Sequence, residues 1–196
     1  MPRRILSLFA ACIAAFALPV TAQEAPGVVK TRCALCHGEK GEAGSEEYPV
    51  LAGQHEQYLA KQLRDFQAGR RQGTMQRFAK PLSEDDIVAI ARYYSRQKAP
   101  AHPVSDADLV AAGRYLYQKG NAQSGVPACA MCHGEKALGT PALPRLAGQH
   151  SPYTQRQLKE FGQRARTNDN EVMLTVAEKL TAFEAKAVAE YLATLE

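Results

Sequence analysis

Two short stretches decide how this sequence is read: Cys33-Ala34-Leu35-Cys36-His37 and Cys129-Ala130-Met131-Cys132-His133. In each, two thiols stand three positions apart and an imidazole follows the second. Thiols at that spacing can add across the two vinyl groups of a haem, and the adjoining imidazole then reaches the iron. In an exported chain, C-x-x-C-H therefore reads as a c-type haem attachment site. A thioredoxin-like redox pair would want a βαβ pattern around it, and none is visible. A zinc site could use two C-x-x-C pairs, but these lie 96 residues apart in separate repeats. Structural disulfides give no reason for His after both second cysteines. Cys33, Cys36, Cys129 and Cys132 are thus expected to carry two covalent haem c groups, with His37 and His133 each on one iron.

That reading needs export, which the first 22 residues supply. Arg3 and Arg4 precede an apolar, charge-free run from Ile5 to Val20, and Val20-Thr21-Ala22 offers small residues for cleavage after Ala22. The run is shorter than the roughly 20 residues of a spanning helix. A lipid-bearing Cys12 would leave an unusually short apolar region, so a cleaved signal peptide and a periplasmic protein are expected. Removing the first 22 of 196 residues leaves 174, and no later stretch is long and apolar enough to span a bilayer. Up to Pro100 the remainder carries 12 basic and 10 acidic residues, and beyond it 10 of each. Without a charge run or basic stripe, nucleic acid is not an expected partner.

The motif repeats within a longer duplication. Cys33-Ala-Leu-Cys-His-Gly-Glu-Lys40 matches Cys129-Ala-Met-Cys-His-Gly-Glu-Lys136, and Pro49-Val-Leu-Ala-Gly-Gln-His55 matches Pro144-Arg-Leu-Ala-Gly-Gln-His150. Tyr58, Gln62, Leu63 and Phe66 match Tyr153, Gln157, Leu158 and Phe161. Arg71 pairs with Arg166, Met75 with Met173, and Leu82-Ser83 with Leu180-Thr181. The offset drifts only from 95 to 98, so the chain is two copies of one domain. Residues 23–98 and 106–196 are assigned to them. Residues 99–105, with Pro100 and Pro103, read as a semi-rigid linker.

Each copy reads as all-α. Ser83 with Asp86, and Thr181 with Glu184 as a full capping box, start helices whose apolar residues share one face: Ile87, Ile90 and Tyr94, then Val188, Tyr191, Leu192 and Leu195. A helix is predicted from about His55 to Ala68, ended by Gly69; its counterpart should begin with Ser151 as N-cap and Pro152 at the first helical position. Asp106 to Lys119 forms a further amphipathic helix. Domains this small have thin cores, and a covalent haem supplies missing apolar mass.

The ligand opposite each histidine sets the chemistry. A thioether closes the iron and raises its potential, whereas an open position suggests gas or peroxide chemistry. Met131 lies inside its own C-x-x-C, which leaves Met75 and Met173, 38 and 40 residues beyond His37 and His133. A lone Met is usually core filler. Its retention at matched places favours ligation. His55 and His150 also match, and read as partly exposed helix-start residues rather than ligands; His102 has no counterpart. Arg71 and Arg166, just before the methionines, are either solvated or bonded to haem propionates.

Taken together, these residues resemble the dihaem cytochromes c of the cytochrome c4 type, each half looking like a class I cytochrome c. The resemblance runs from Cys33 to Leu195. It implies that the carbonyls of Pro49 and Pro144 accept the Nδ1 protons of His37 and His133, which orients the imidazoles and raises their basicity. It also implies an N-terminal helix crossing the C-terminal one, which Gly113, Tyr117 and Tyr191 suit in the second half. Only ten residues precede Cys33 after cleavage, so the first domain's N-terminal helix should be short or absent. Three extra residues between Phe161 and Met173 predict a looser methionine loop in the second.

The function expected is a monomeric, non-enzymatic electron shuttle, and the resemblance implies membrane respiratory partners: a cytochrome bc complex as donor and a terminal oxidase as acceptor. The alternative is the electron-accepting subunit of a periplasmic dehydrogenase, such as a flavocytochrome sulfide dehydrogenase; stability alone as a monomer separates the two. A dihaem peroxidase needs one exchangeable ligand, against which the matched methionines argue.

Overall fold

The computed structural model describes residues 25–102 and 106–196. The signal peptide assigned to residues 1–22 and positions 103–105 of the linker fall outside the described residues.

Four of the helices begin at residues whose side chains accept from their first N–H groups: Ser83, Asp106, Asn170 and Thr181. Among the described residues the regular structure is helical, with two isolated β-bridges at Asn121–Val126 and Thr140–Leu143. A π-helical turn, Val29–Cys33, runs into α1, Ala34–His37. There follow α2 (Glu56–Gln67), α3 (Met75–Ala79) and α4 (Glu84–Ser95). The second half comprises α5 (Ala107–Lys119), α6 (Ala130–His133), α7 (Ser151–Gly162), α8 (Glu171–Glu178) and α9 (Ala182–Ala193). Both α4 and α9 start in complete capping boxes. Ser83 accepts from the Asp86 N–H while Asp86 accepts from the Ser83 N–H, as Thr181 and Glu184 do. The expected cap of α7 is corrected by one residue. His150, in an extended conformation, precedes the helix, and the Ser151 hydroxyl donates to Glu190 Oε1 at 2.8 Å instead of capping.

Each half has its own core. Val29, Leu59, Ile87, Ile90 and Tyr94 join α4 to α2 in the first; Leu116, Tyr117, Val188, Tyr191 and Leu192 join α5 to α9 in the second. The α5–α9 crossing depends on Gly113, where a Cβ would lie 1.9 Å from the Ala187 carbonyl oxygen. Tyr117 and Tyr191 pack beside it with their rings tilted by 52° and centroids 5.6 Å apart. The first half replaces that long helix with its short π-helical turn and compensates. Tyr117 of α5 donates to the Gly134 carbonyl at 2.6 Å, and in the first half Tyr94 of α4 donates to the equivalent Gly38 carbonyl at 3.2 Å. The same bond holds each C-x-x-C-H turn, from different helices.

Two described residues of the connection, Ala99 and His102, are held in place. Ala99 is buried with Ala43, Val50 and Ala52. His102 accepts no free rein either: its N–H donates to Ala193 O at 2.9 Å and its ring stacks on His150 at 4.1 Å.

Candidate haem sites

Each C-x-x-C-H turn is a single turn of helix stopped by a glycine, Gly38 (φ 76°) or Gly134 (φ 77°), in a conformation that side chains with a Cβ disfavour. None of Cys33, Cys36, Cys129 and Cys132 is in a disulfide. Between each pair the intervening long side chain points away from the fold: Leu35 is 87% exposed and Met131 81%. His37 and His133 turn inward and are buried. Their Nδ1 atoms lie 3.0 Å from Pro49 O and 3.2 Å from Pro144 O, so with Nδ1 protonated each donates to a proline carbonyl. Burial pushes both imidazoles below their ordinary range, partly offset by that bond. Neither Nε2 has a hydrogen-bond partner among the described residues. Burial also pushes the Cys33 and Cys129 thiols up to about 11. Two thiols beside an imidazole with its Nδ1 held and its Nε2 open form a donor set that fits a covalent haem with a histidine ligand.

The methionines occupy matched but unlike settings. Met75 opens the five-residue α3, which packs on α2. Met173 lies in the eight-residue α8 and packs on Phe161, Leu174 and Ala177. Both are half-buried.

The remaining predicted residues meet at an interface between the halves. Arg71 and Arg166 are both buried, which removes the solvated-surface reading. Arg71 donates through Nη1 to Gln62 Oε1 at 2.7 Å, and through Nη2 to Gln157 Oε1 at 2.7 Å and Tyr153 Oη at 3.2 Å. Arg166 donates to Gln157 Oε1 at 2.7 Å, to Tyr58 Oη at 2.8 Å and to Asp169. The guanidinium groups also stack on matched rings, Arg71 on Phe66 and Arg166 on Phe161. Among the described residues Arg71 has only neutral acceptors, whereas Arg166 has a carboxylate.

The expected looseness of the second methionine loop is overturned. Its extra residues reach across: Asn168 Nδ2 donates to Asp65 Oδ2 at 2.7 Å, and Asp169 receives Lys61 Nζ at 2.6 Å and Gln62 Nε2 at 2.9 Å. His55 and His150 lie on the same interface. Their Nε2 atoms approach carbonyls of the opposite half, Leu138 O at 2.8 Å and Ala43 O at 3.1 Å. His150 is buried rather than partly exposed.

Among the residues that sequence reasoning missed are Gln54 and Gln149. Gln54 Nε2 donates to Arg145 O at 2.8 Å and its Oε1 accepts from Arg145 N at 2.9 Å. Gln149 does the same to Val50, at 3.0 and 2.9 Å. Their signal was present, because both belong to the repeated Leu-Ala-Gly-Gln-His segment.

Comparison with known proteins finds cytochromes c. Residues 110–196 match the family described as Cytochrome c, and residues 20–93 the family described as Cytochrome C oxidase, cbb3-type, subunit III. Cytochrome c4 of Azotobacter vinelandii is 38% identical over 174 residues, covering 82% of this chain and 82% of that one. The thiosulfate dehydrogenase electron acceptor of Thiomonas intermedia is 37% identical over 197 residues, covering 97% of this chain and 90% of its own. The crystal structure of reduced recombinant cytochrome c4 from Pseudomonas stutzeri superposes with a TM-score of 0.80 at 35% identity, covering 89% of this chain and 100% of that one.

Proposed function

The chain belongs to the cytochrome c4 family of dihaem cytochromes c, and from that premise we propose that it is a periplasmic electron carrier with two closed irons. It carries two covalently bound haem c groups and serves electron transfer. Cys33 and Cys36, and Cys129 and Cys132, form the thioethers. His37 and Met75 would hold the iron of the first haem, and His133 and Met173 that of the second. Pro49 and Pro144 hold the imidazoles. The haems supply one-electron oxidation and reduction when bound. The chain's task is to fix the ligands, exclude water and keep two sites docked.

The observation that carries the reading is the shared interface. Both His–proline pairs lie one peptide from residues that bridge the halves. Such docking suits passage of an electron between two sites. Arg71, a buried cation with only neutral acceptors among the described residues, is the residue suited to an anionic propionate, and Arg166 is its matched counterpart with part of its charge already answered by Asp169.

As a shuttle the protein takes electrons from a cytochrome bc complex and delivers them to a terminal oxidase. The relative named as a thiosulfate dehydrogenase electron acceptor, matching 97% of this chain, favours a second reading, in which a periplasmic dehydrogenase is the donor. The test is a reductive titration of the purified mature protein with carbon monoxide and peroxide challenge. Two electrons per chain, a monomer, no carbon monoxide adduct and no peroxide turnover are expected. A carbon monoxide adduct or peroxidase turnover would overturn the carrier reading. Comparing reduction rates by a bc complex and by a thiosulfate-oxidising dehydrogenase decides the donor.

A further inference from the structure

We propose that Gln149 and Gln54 each tune the redox potential of the haem in the opposite half, acting through one peptide group. The inference rests on the reading that His37 and His133 hold the irons.

The Val50 N–H and the Pro49 C=O belong to one peptide unit. Its carbonyl faces His37 Nδ1 at 3.0 Å, and its N–H donates to Gln149 Oε1 at 2.9 Å from the second half. The mirror relation holds in the other direction. The Pro144 carbonyl faces His133 Nδ1 at 3.2 Å, and the N–H of the same unit, on Arg145, donates to Gln54 Oε1 at 2.9 Å. Each glutamine is held in register. Gln149 Oε1 also accepts from His150 N at 3.0 Å, Gln54 Oε1 from His55 N at 3.0 Å, and each Nε2 donates to the carbonyl of the residue it grips. Two N–H donors on Oε1 and one carbonyl on Nε2 leave a single workable amide orientation.

Hydrogen bonds in series polarise one another, by roughly 10–30% per bond. An acceptor on the amide N–H puts more negative charge on the same amide's oxygen. That oxygen pulls harder on the imidazole Nδ1 proton, the ring becomes a stronger donor at Nε2, and the ferric state gains. The sign follows: each glutamine lowers the potential of the haem across the interface. A purely mechanical role predicts no such crossing.

The test uses the complete holoprotein. Gln149→Leu and Gln54→Leu remove the acceptor while keeping bulk. Arg156→Ala is the control, because it deletes a different bond between the halves, from Arg156 Nη2 to Glu47 O at 2.7 Å. Redox titration followed by haem methyl resonances resolves the two potentials, and the Nδ1–H resonances of His37 and His133 in the ferrous protein report the histidine bonds. Gln149→Leu should raise the first haem's potential and move the His37 Nδ1–H signal upfield, with smaller changes at the second. Gln54→Leu should give the mirror image, and Arg156→Ala neither. If a leucine variant loses its haem, Gln149→Asn and Gln54→Asn, one methylene short, carry the same expectations. Intact spectra with unmoved potentials, a shift in the glutamine's own half, or equal shifts in both halves shared by Arg156→Ala would overturn the relay. A failure of the ligation reading is distinct: His37→Ala or His133→Ala would then leave the unsubstituted protein's spectrum unchanged.

Discussion

Arg166 of the second half donates through Nη2 to the hydroxyl of Tyr58 in the first, at 2.8 Å, and Arg71 repeats the contact on Tyr153 at 3.2 Å. The halves are therefore joined by buried polar groups as well as by packing. Such groups contribute little when complete and cost much when half removed. Arg166→Met breaks the buried pair with Asp169, which keeps Lys61 and Gln62 among the described residues, and removes the donor to Tyr58 Oη and Gln157 Oε1. A loss of about 3 kcal/mol is expected. Denaturant titration of the holoprotein measures it, and a loss below measurement error would show that Arg166 is dispensable.

Acid should weaken the same interface. Burial would raise the Asp169 carboxyl, but Arg166 and Lys61 more than offset it and hold the group below its usual range; Asp65 is held low likewise, by Lys61, Asn168 and Arg70 against burial. A carboxyl depressed in the folded state stabilises fully above its unfolded pKa, about 4, and that contribution fades as pH falls through the folded value. Stability at pH 7 should exceed that at pH 3, and Asp169→Asn should narrow the gap. An unchanged gap would remove Asp169 from the account.

Ligation by the matched methionines has an optical signature. The oxidised protein should show a long-wavelength sulfur-to-iron charge-transfer band from both haems. Met75→Ala should remove about half of it and Met173→Ala the rest. Survival of the band in either variant, with a spectral change on substituting His55 or His150, would transfer the ligand role to histidine.

Arg71 is buried against neutral acceptors alone among the described residues, so its positive charge is free to act on a nearby anion. If that anion is a haem propionate, Arg71→Gln restores negative charge near the iron, favours the ferric state and lowers the first haem's potential. Arg166→Gln should lower the second by less, since Asp169 already answers part of its charge. Redox titration with the methionine band intact decides it. No shift, or an upward one, would limit both arginines to the interface.

What could be read from the sequence divides along a physical line. The C-x-x-C-H turns and the caps at Ser83 and Thr181 are local, because a few adjacent residues suffice to make them. The face carrying Ile87, Ile90 and Tyr94 follows from helical periodicity, which reports burial inside one domain. The contact between the halves leaves no apolar stripe. It is built from Gln54, Gln149, Arg71 and Arg166, residue types ordinarily assigned to solvent. Their only mark was identity between the repeats, and identity alone does not separate a contact with haem from a contact with the other half. Asn168 and Asp169 had not even that, since the first repeat lacks them.

The reciprocal grips, Gln54 on Arg145 and Gln149 on Val50, are what an isologous dimer makes of one surface used twice. In a homodimer any substitution falls on both sides at once, so the two subunits cannot diverge. Fusion into one chain lifts that restriction: valine stands at one grip and arginine at the other, and the Asn168–Asp169 loop exists on one side alone. Tethering also sets the effective concentration of one half near the other through the linker, whatever the dilution. The pairing thus persists where separate subunits would part, and its two members are free to become unequal.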